Sequence, residues 1–476
     1  MAVMDKKKQT FCYVAADFFA AVIATACFFF WRKYCFYGDS GWNNVFYQTF
    51  HDWKFYLDIV VIPVGWLIFY ALSSSYRKIY RKSRLKELVQ TVRQVLIGTL
   101  LLFFVIILDD YIERPTDYIR FFLLLFALQF GLTFLFRFII ITITNNRIHR
   151  GELEFPTILV GGGQEALRYY NALQNQRQSS GTKLVGFVTA NGEDTAELSV
   201  LLPCLGNHEQ LPGLIHDLKI EEMVVAVGDD TRLILGKIFP NLEVSSLLIK
   251  IFPHTTDYLM GSVNSTAVYH EPVIEMQLDF MPVWQKICKR IGDIIGSVIC
   301  MVLCIPFYII LAFGVKCSSP GPVFFRQERV GFRGKPFHII KFRSMYVDAE
   351  DAGPQLSSEN DSRITHFGVF MRKTHLDEIP QFFNVLKGDM SLVGPRPERQ
   401  FYIDQIVKKA PHYRLLQLIK PGLTSWGQVT YGYAENVDEM VERLRYDMVY
   451  LENMTLLMDI KILCYTVLAV IKHKGK

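Results

Sequence analysis

The sequence predicts a membrane protein of mixed class. Its expected parts are a four-helix transmembrane bundle (residues 1–150), a Rossmann-like doubly wound α/β module (151–262), a linker (263–282) and an α-rich C-terminal domain (283–476) with a re-entrant membrane hairpin. Three observations support this division. Apolar residues make up 51% of the 476-residue chain and are gathered into long runs. Residues 157–252 instead alternate short apolar strands with helical segments, which is typical of a parallel sheet. Residues 291–314 form another long apolar run, and both of its flanks are basic.

Composition limits the class of partner. The net charge of +5 is small for the length, so the basic residues indicate local patches that face anionic headgroups or phosphates. Nothing in the sequence indicates a nucleic acid as partner. The nine cysteines are scattered without a CxxC pair, which argues against both a disulfide framework and a zinc site.

The first part of the chain carries four predicted spans, at residues 11–31, 55–72, 92–108 and 118–144. The loop after the second span is rich in Lys and Arg, whereas the loop after the third is acidic. Positive charge favours the cytoplasmic side, so the N-terminus and everything after residue 145 are expected there. Within the spans, Asp17, Asp58 and Arg137 mark either a polar pathway or pairing inside the bundle.

The pattern of the second part is typical of a nucleotide-binding fold, but its dinucleotide-binding signature is incomplete. A strand and turn at residues 157–163 precede a helix predicted over 164–174. Gly161, Gly163 and Ala166 fit the pattern GxGxxA, in which a pyrophosphate lies at the N-terminus of the helix. The acidic residue expected after the second strand is missing. The sequence therefore leaves two possibilities open, a dinucleotide site at Gly161 and Gly163 or a structural or regulatory module.

The apolar run at residues 291–314, within the re-entrant helix predicted over 286–316, is long enough to cross a bilayer, since about 20 residues suffice. Its basic flanks favour the same side of the membrane for both ends. Pro306 lies near the middle, where it removes a backbone donor and bends or breaks a helix. These features predict a helix that enters and returns, with Pro306 at its break, although an ordinary spanning helix remains the alternative.

The last segment, residues 454–472, is apolar with Asp459 and Lys461 interleaved. This short amphipathic pattern predicts a helix in the plane of the membrane interface. A core helix of the C-terminal domain is the competing interpretation.

The densest group of reactive side chains lies at residues 362–400. Asp377 and Glu378 are adjacent carboxylates near a predicted helix start, where Thr374 and Asp377 also have the spacing of a capping box. A carboxylate can attack a phosphoryl group and hold it covalently, while a second one binds Mg2+. Arginine offers the planar fork that phosphates prefer. The candidate phosphate ligands are Arg329, Lys341, Arg343, Arg363, Arg372 and Arg396.

Four motifs in this order resemble one known family. QERVG (327–331), KFRSM (341–345), RKTHLDEIPQFFNVLKGDMSLVGPRPE (372–398) and KPGLTSWGQV (420–429) are similar to motifs of the bacterial sugar transferases, the monotopic phosphoglycosyl transferases. The resemblance covers roughly residues 284–476. The four spans and the Rossmann-like module are similar to the large members, the undecaprenyl-phosphate galactose or glucose phosphotransferases.

The resemblance implies an enzyme that moves a sugar 1-phosphate from a UDP-sugar to undecaprenyl phosphate and releases UMP. This would be the first membrane step of exopolysaccharide, capsule or O-antigen synthesis, at the cytoplasmic face of the bacterial inner membrane. Asp377 matches the nucleophile, Glu378 matches its Mg2+ ligand, and Arg290 falls where the lipid phosphate is met. A homodimer is also implied. The substrate-binding residues predicted from all of this are Arg290, Arg329, Lys341, Arg343, Arg363, Arg372, Asp389, Arg396 and Gln428.

Some positions depart from the family pattern and leave the sugar undetermined. Ser362 replaces a usual Pro, Ser425 a frequent Gly, and Gly427 a frequent Ala, but none of them touches the carboxylate pair. A different class of function also stays open, a membrane-bound nucleotide-sensing scaffold in which the Rossmann-like module is the working part. A nicotinamide-dependent sugar-modifying enzyme is disfavoured because the module lacks the acidic ribose ligand and a Tyr-x-x-x-Lys pair.

Overall fold

The computed structural model describes most of the chain, in two compact units. The described residues are 6–37, 42–77, 79–104, 115–176, 178–190, 196–228, 234–235, 238, 247–253, 273–276, 280–347, 349, 353, 355, 361–432 and 434–471. The first unit comprises Met1–Phe155, Gln176–Lys183 and Pro282–Trp284. The second comprises Pro156–Asn175, Leu184–Met281 and Gln285–Lys476, so the predicted module and the C-terminal domain share one unit.

The first unit is a bundle of long apolar helices. Its helices are α1 (Lys6–Tyr37), α2 (Trp42–Phe50), α3 (Trp53–Leu72), α4 (Arg84–Leu102) and α5 (Pro115–His149). Among the described helices of this unit, α1, α3 and α5 are long and apolar enough to cross a membrane, as is the helix Val283–Ser318 of the C-terminal part. The helix α4 has 19 residues but is not among them, because Arg84, Lys86, Glu87 and Arg93 lie within it. The predicted third span continues to residue 108, outside the described residues.

A largely buried ionic network joins the helices of the bundle. The guanidinium of Arg137 on α5 donates to both carboxylate oxygens of Asp17 on α1, each at 2.8 Å, and to Glu87 on α4 at 3.0 Å. Lys82 makes an ion pair with Glu87 at 2.7 Å, and the Tyr13 hydroxyl donates to Glu87 at 2.7 Å. Two positive and two negative charges balance. Of the two interpretations of Asp17 and Arg137, the structure therefore shows pairing inside the bundle.

The module contains a six-stranded mixed sheet. Its elements are β1 (Phe155–Val160), α6 (Gln164–Gln174), β2 (Thr182–Thr189), α7 (Ala196–Leu201), β3 (Cys204–Asn207), α8 (Leu211–Asp217), β4 (Glu222–Val225), β5 (Leu248–Ile251) and β6 (Ile274–Met276). The order is β3-β2-β1-β4-β5-β6, with parallel pairing of β2 with β3, of β1 with β4 and of β4 with β5, and with β6 antiparallel to β5. The helix predicted over residues 164–174 is confirmed. The predicted linker (263–282) contributes β6, and much of it lies outside the described residues.

The C-terminal part is rich in helices and has two small sheets. Its elements are α9 (Val283–Ser318), β7 (Phe324–Val330), β8 (Pro336–Phe342), α10 (His366–Lys373), α11 (Gln381–Lys387), β9 (Ser391–Val393), α12 (Gln400–Lys409), β10 (Gly422–Thr424), α13 (Trp426–Thr430), α14 (Val437–Glu452) and α15 (Leu456–Ile471). Strands β7 and β8 form an antiparallel hairpin, and β9 pairs with β10 in parallel. The last two strands approach so closely that a Cβ on Gly422 would lie 2.1 Å from the Gly394 nitrogen.

The helix α9 contains the predicted membrane hairpin. It is one continuous helix of 36 residues with Pro306 inside it, so the predicted break at Pro306 is wrong, although a bend there stays a prediction. Proline removes a single intrahelical hydrogen bond. Membrane helices tolerate this loss because neighbouring groups can satisfy the freed carbonyl. Most of its apolar side chains are exposed, including Leu303 (68%) and Phe313 (73%).

Both ends of α9 contact the same part of the C-terminal domain. Near the N-terminal end, the Asp293 carboxylate accepts from the Leu392 backbone N–H at 3.0 Å. Towards the C-terminal end, the Tyr308 hydroxyl donates to the Ile379 carbonyl at 3.1 Å, and Leu311 packs into the cluster around Ile379. A straight helix covers about 22 Å between Asp293 and Tyr308, less than the roughly 30 Å of a hydrocarbon core.

The last helix, α15, has one face packed on the domain, whereas its place in a membrane interface stays a prediction. Asp459 pairs with Lys289 of α9 at 2.6 Å, and Ile462 is fully buried in the domain core. On the other side, Leu457 is 77% exposed and Ile460 is 62% exposed. One face of the helix therefore packs on the domain, and the other is an apolar surface.

We expect Asp17→Asn to destabilise the bundle strongly. The substitution leaves Arg137 buried without its bidentate partner, and breaking a buried pair in this way costs about 3–5 kcal/mol. The measurement is the thermal unfolding midpoint of the purified full-length protein in detergent. Asp404→Asn is the control, because Asp404 accepts only from Gln400 on an exposed helix face. An unchanged midpoint for Asp17→Asn would show that the pair contributes no stability.

Candidate active site

A cavity of about 480 Å³ lies in the C-terminal domain over the β7–β8 hairpin. The hairpin forms one wall, the short helix Leu376–Glu378 carries two carboxylates into it, and the segment 396–402 closes another side. Side chains of α14 complete the lining with Met440 and Arg443. The predicted pair Asp377 and Glu378 therefore lies in a pocket, as do many of the predicted cations.

A tight turn presents the two carboxylates. Helix α10 ends at Lys373, and His375 then adopts a left-handed conformation with φ 56°, which reverses the chain into the short helix Leu376–Glu378. Thr374 caps the end of α10, where its hydroxyl donates to the Phe370 carbonyl at 2.9 Å. The predicted capping box of Thr374 and Asp377 is therefore wrong. Sequence spacing does not reveal that a helix has ended at Lys373.

Glu378 is held as an anion by two cations. The Lys341 ammonium contacts its Oε1 at 2.6 Å, and the Arg396 guanidinium lies 3.5 Å from the same oxygen. Burial by itself raises the pKa of Glu378, but the charges of Lys341 and Arg396 outweigh it and lower that pKa to about 2. Glu378 is thus ionised at any physiological pH and is committed to Lys341.

Asp377 has the opposite environment, with only 7% of its surface exposed. Burial, together with repulsion from the Glu378 charge, raises the pKa of Asp377 to about 6, although Lys341 and Arg372 partly offset this. Among the described residues, no side chain makes a hydrogen bond or ion pair with the Asp377 carboxylate. It is a poorly solvated carboxylate, ionised at neutral pH, and its basicity suits attack on an electrophile.

The structure brings six of the predicted substrate ligands to this pocket and places three elsewhere. The pocket is lined by Arg329, Lys341, Arg343, Arg363, Arg372 and Arg396. Arg290 instead donates to the carbonyls of Val385 and Leu386 at the end of α11. Asp389 pairs with Lys387 at 2.9 Å, and Gln428 belongs to α13, outside the pocket lining.

Protein partners orient several of the lining guanidinium groups. Arg343 donates to the carbonyls of Ser319 and Pro320, just beyond the end of α9, at 2.7 and 2.8 Å. Arg363 forms a bidentate pair with Asp361 at 2.6 and 2.8 Å. Arg343 therefore ties the membrane helix to the pocket wall, which is a structural use of a residue predicted as a phosphate ligand.

Several pocket residues were not singled out from the sequence. Glu398 is 3% exposed and accepts from Arg443 at 2.7 Å and from Arg329 at 3.3 Å. Burial raises the pKa of Glu398, but Arg443 and Arg329 outweigh it and hold that pKa below its usual range. Arg443 lies in an ordinary charged helix, so only its packing against Glu398 reveals it. Glu398 ends the motif GPRPE, which was the one available signal.

The carboxylate pair is the part of the pocket whose chemistry suits a divalent metal ion. In the part of the chain that the structure describes, no three His, Cys, Asp or Glu side chains gather as a metal site. Mg2+ needs no such cage, because it is commonly bound by one or two carboxylates together with substrate phosphates. Asp377 and Glu378 fit that pattern. Any ion held by Glu378 shares this carboxylate with Lys341.

Of the two glycines proposed for a dinucleotide, Gly161 has a packing role in the sheet. Gly161 has φ 121°, its N–H donates to the Val188 carbonyl, and a Cβ there would lie 2.3 Å from the Ala226 oxygen. Gly163 is the residue before the first turn of α6. Close packing of β1 on its neighbours therefore explains Gly161 without a ligand, and cofactor binding at these glycines stays a prediction.

Comparison with known proteins gives two family matches. Residues 284–473 match the family described as bacterial sugar transferase, and residues 75–253 match the family described as CoA-binding domain. The first match contains the whole pocket.

Three relatives illustrate the range of similar proteins. A UDP-glucose:undecaprenyl-phosphate glucose-1-phosphate transferase of Xanthomonas campestris pv. campestris is 32% identical over 335 residues, 69% of this chain and 69% of that protein. A UDP-N-acetylgalactosamine-undecaprenyl-phosphate N-acetylgalactosaminephosphotransferase of Aeromonas hydrophila is 42% identical over 187 residues, 39% of this chain and 44% of that protein. A UDP-galactose-lipid carrier transferase of Erwinia amylovora is 28% identical over 337 residues, 67% of this chain and 69% of that protein. Their names carry three different sugars.

We expect reactions that use the Asp377 carboxylate to fail in acid. With a pKa of about 6, the ionised form is lost as the pH falls through 6, so kcat/KM should drop about tenfold per pH unit below that value. Lys341→Met removes the charge that most lowers this pKa, so the acidic limb should move to higher pH. Lys335→Met, outside the pocket, should leave the limb in place. The measurement is the pH profile of kcat/KM for each variant, and a limb that moved to lower pH in Lys341→Met would contradict the assignment.

Proposed function

We propose that this chain, which belongs to the bacterial sugar transferase family, transfers a sugar 1-phosphate from a UDP-sugar to undecaprenyl phosphate and releases UMP. The chain is an enzyme of the sugar-phosphate transferase class. The observation that carries the proposal is the buried pair of adjacent carboxylates, with pKa values of about 6 and about 2, in a pocket lined by cations. Such a pocket suits two phosphorylated substrates.

In the first half-reaction, an oxygen of the Asp377 carboxylate attacks the phosphorus that bears the sugar. The new bond joins this oxygen to phosphorus, and the bond from phosphorus to the bridging oxygen of the diphosphate breaks. UMP leaves with that oxygen and the bonding electrons, so no proton has to move. The product on the protein is an acyl phosphate, a mixed anhydride of Asp377 and the sugar phosphate.

In the second half-reaction, an oxygen of undecaprenyl phosphate attacks the same phosphorus. The phosphorus–oxygen bond to Asp377 breaks, and the carboxylate is regenerated. Undecaprenyl-diphosphate-sugar is released. Because each half-reaction needs only one substrate beside Asp377, a single set of phosphate ligands serves both substrates in turn.

The cations of the pocket neutralise the phosphates in both steps. Lys341 and Arg372 are the cations whose charges act most strongly on Asp377, and Arg396 lies beside Glu378. Preorganised positive charge of this kind stabilises a phosphoryl group in transfer more than in the ground state. Glu378 would hold Mg2+, which supplies further positive charge to the phosphate oxygens when it is bound.

The proposal places the pocket at the cytoplasmic face of the bacterial inner membrane, where UDP-sugars are found. The two ends of α9 contact one domain, which supports a helix that enters the bilayer and leaves it on the same side. The re-entrant hairpin, a homodimer and a role in the first step of exopolysaccharide, capsule or O-antigen synthesis are parts of this proposal. The strand order β3-β2-β1-β4-β5 supports a Rossmann-like module.

We expect Asp377→Asn to abolish both product formation and the covalent intermediate. The amide is not a nucleophile for phosphorus, and loss of such a group costs on the order of 10³-fold or more in rate. The experiment gives membranes containing each variant a UDP-sugar labelled in the sugar, with Mg2+, and separates protein-bound from lipid-bound label. The control is Asp404→Asn, an exposed carboxylate of α12. A labelled Asp377→Asn protein would refute the nucleophile.

The topology has its own test in two native cysteines. Cys288 and Cys317 lie near the two ends of α9, and both are exposed. In variants that keep Cys288 or Cys317 as the sole cysteine, a membrane-impermeant maleimide should label either residue from the cytoplasmic face, which is outermost in inverted vesicles. Labelling of the two residues from opposite faces of the membrane would show a spanning helix instead.

A further inference from the structure

We propose that the apolar end of the pocket binds the first isoprene units of the lipid acceptor, an assignment that rests on the proposed function. We call this surface the aromatic mouth. It is formed by Phe324, Phe325, Tyr346, Val347 and Val369. Its occupant is a hydrocarbon chain attached to a phosphate.

The aromatic mouth is unusual because large apolar side chains are left open to solvent. Val347 is 67% exposed, Phe324 46%, Tyr346 43% and Val369 41%, yet all of them line the same cavity as the carboxylate pair. A contiguous apolar surface of this kind marks a binding site more often than a bare protein surface. Nothing in the described part of the domain covers it.

Along the strand β7, the side chains that line the pocket change from apolar to charged. Side chains alternate along a strand, so Phe325, Gln327 and Arg329 face the same side, about 7 Å apart in succession. Phe324 faces the other side and stacks on Phe342, so the aromatic mouth extends around the start of the strand. Phe325 is the cross-strand partner of Lys341, which contacts Glu378. The apolar surface therefore begins directly beside the carboxylate pair. A phosphate at Lys341 would extend its hydrocarbon chain over Phe325.

The aromatic mouth is continuous with the membrane helix. Tyr308 of α9 packs on Phe342 with ring centroids 5.5 Å apart, and Phe342 stacks on Phe324 at 5.2 Å. The Phe342 ring is buried, with 1% of its surface exposed, and it lies between Tyr308 of the apolar helix and Phe324 of the aromatic mouth. Arg343 holds the turn between α9 and β7 by its bonds to the carbonyls of Ser319 and Pro320. A chain leaving the bilayer along α9 reaches this end of the pocket first.

The other end of the pocket has the character expected for the water-soluble donor. It is lined by Glu398, Arg399, Tyr402, Glu435 and Arg443. Charged and hydroxyl groups suit a sugar and a nucleoside, whereas they would leave a hydrocarbon chain without apolar contacts. The polarity of the pocket thus assigns the acceptor to the aromatic mouth and the donor to the opposite end.

The two half-reactions separate the role of the aromatic mouth from the rest of the chemistry. The test variants are Phe325→Ser and Val347→Ser, and Phe332→Ser is the control, a phenylalanine of similar exposure in the turn of the same hairpin and outside the pocket. With UDP-sugar alone, all three should form the phosphosugar adduct and release UMP at the wild-type rate. This first measurement also shows that the variants are folded.

Undecaprenyl phosphate is then added to the adduct, and its discharge is followed. In Phe325→Ser and Val347→Ser the acceptor concentration for half-maximal discharge should rise about tenfold, because the chain loses the burial of an apolar side chain. Discharge to methyl phosphate, which has no chain, should be unchanged. Wild-type discharge to undecaprenyl phosphate in both variants would overturn the proposal. Val347 is mostly exposed, so its substitution stays informative if Phe325→Ser does not fold.

A second measurement keeps this inference distinct from the proposed function. A polyprenyl phosphate with a photoreactive group in its first isoprene units should crosslink to residues 324–325 or 346–347 without any turnover. If the wild-type protein crosslinks there but forms no phosphosugar adduct, the result would support the aromatic mouth and reject Asp377 as the nucleophile. Crosslinking at the polar end instead would reject the aromatic mouth.

Discussion

The contact between Lys341 and Glu378 is the interaction on which the site depends. Two adjacent carboxylates in a buried pocket repel each other, and both would be expected to protonate. Lys341, supported by Arg396, fixes one of them as an anion and leaves the other with a pKa of about 6. The same ammonium lies across the hairpin from Phe325. One side chain thus adjoins the proposed nucleophile, the proposed metal ligand and the apolar end of the pocket.

The second constraint is the attachment of the domain to α9. Asp293 and Tyr308 contact backbone groups on either side of α11, at Leu392 and Ile379. The apolar side chains between them remain exposed. The depth of the helix in a bilayer therefore fixes the height of the pocket. A reaction between a dissolved sugar nucleotide and a lipid phosphate requires this arrangement, because its two substrates meet only at the interface.

Particular residues show how far sequence reasoning reached. The helix over residues 164–174 was predictable because the glycines before it and its apolar period are local signals. The break at Pro306 was not, because lipid-facing helices tolerate proline and composition does not record that tolerance. The capping role given to Thr374 failed because spacing alone does not show that α10 ends at Lys373. The sequence did not identify Arg443 as a pocket residue, because its partner Glu398 lies 45 residues away in the chain.

The sequence by itself determined the class of the protein, its apolar segments and the identity of the carboxylate pair, because long hydrophobic runs and an unbroken string of motifs are written locally in the chain. Only the tertiary structure decided which cations face that pair, that Arg290 and Arg343 bind backbone carbonyls, and which end of the pocket is apolar. These features depend on contacts between segments far apart in the chain. A charge becomes a phosphate ligand, a helix cap or a pKa determinant only through the neighbours that folding gives it.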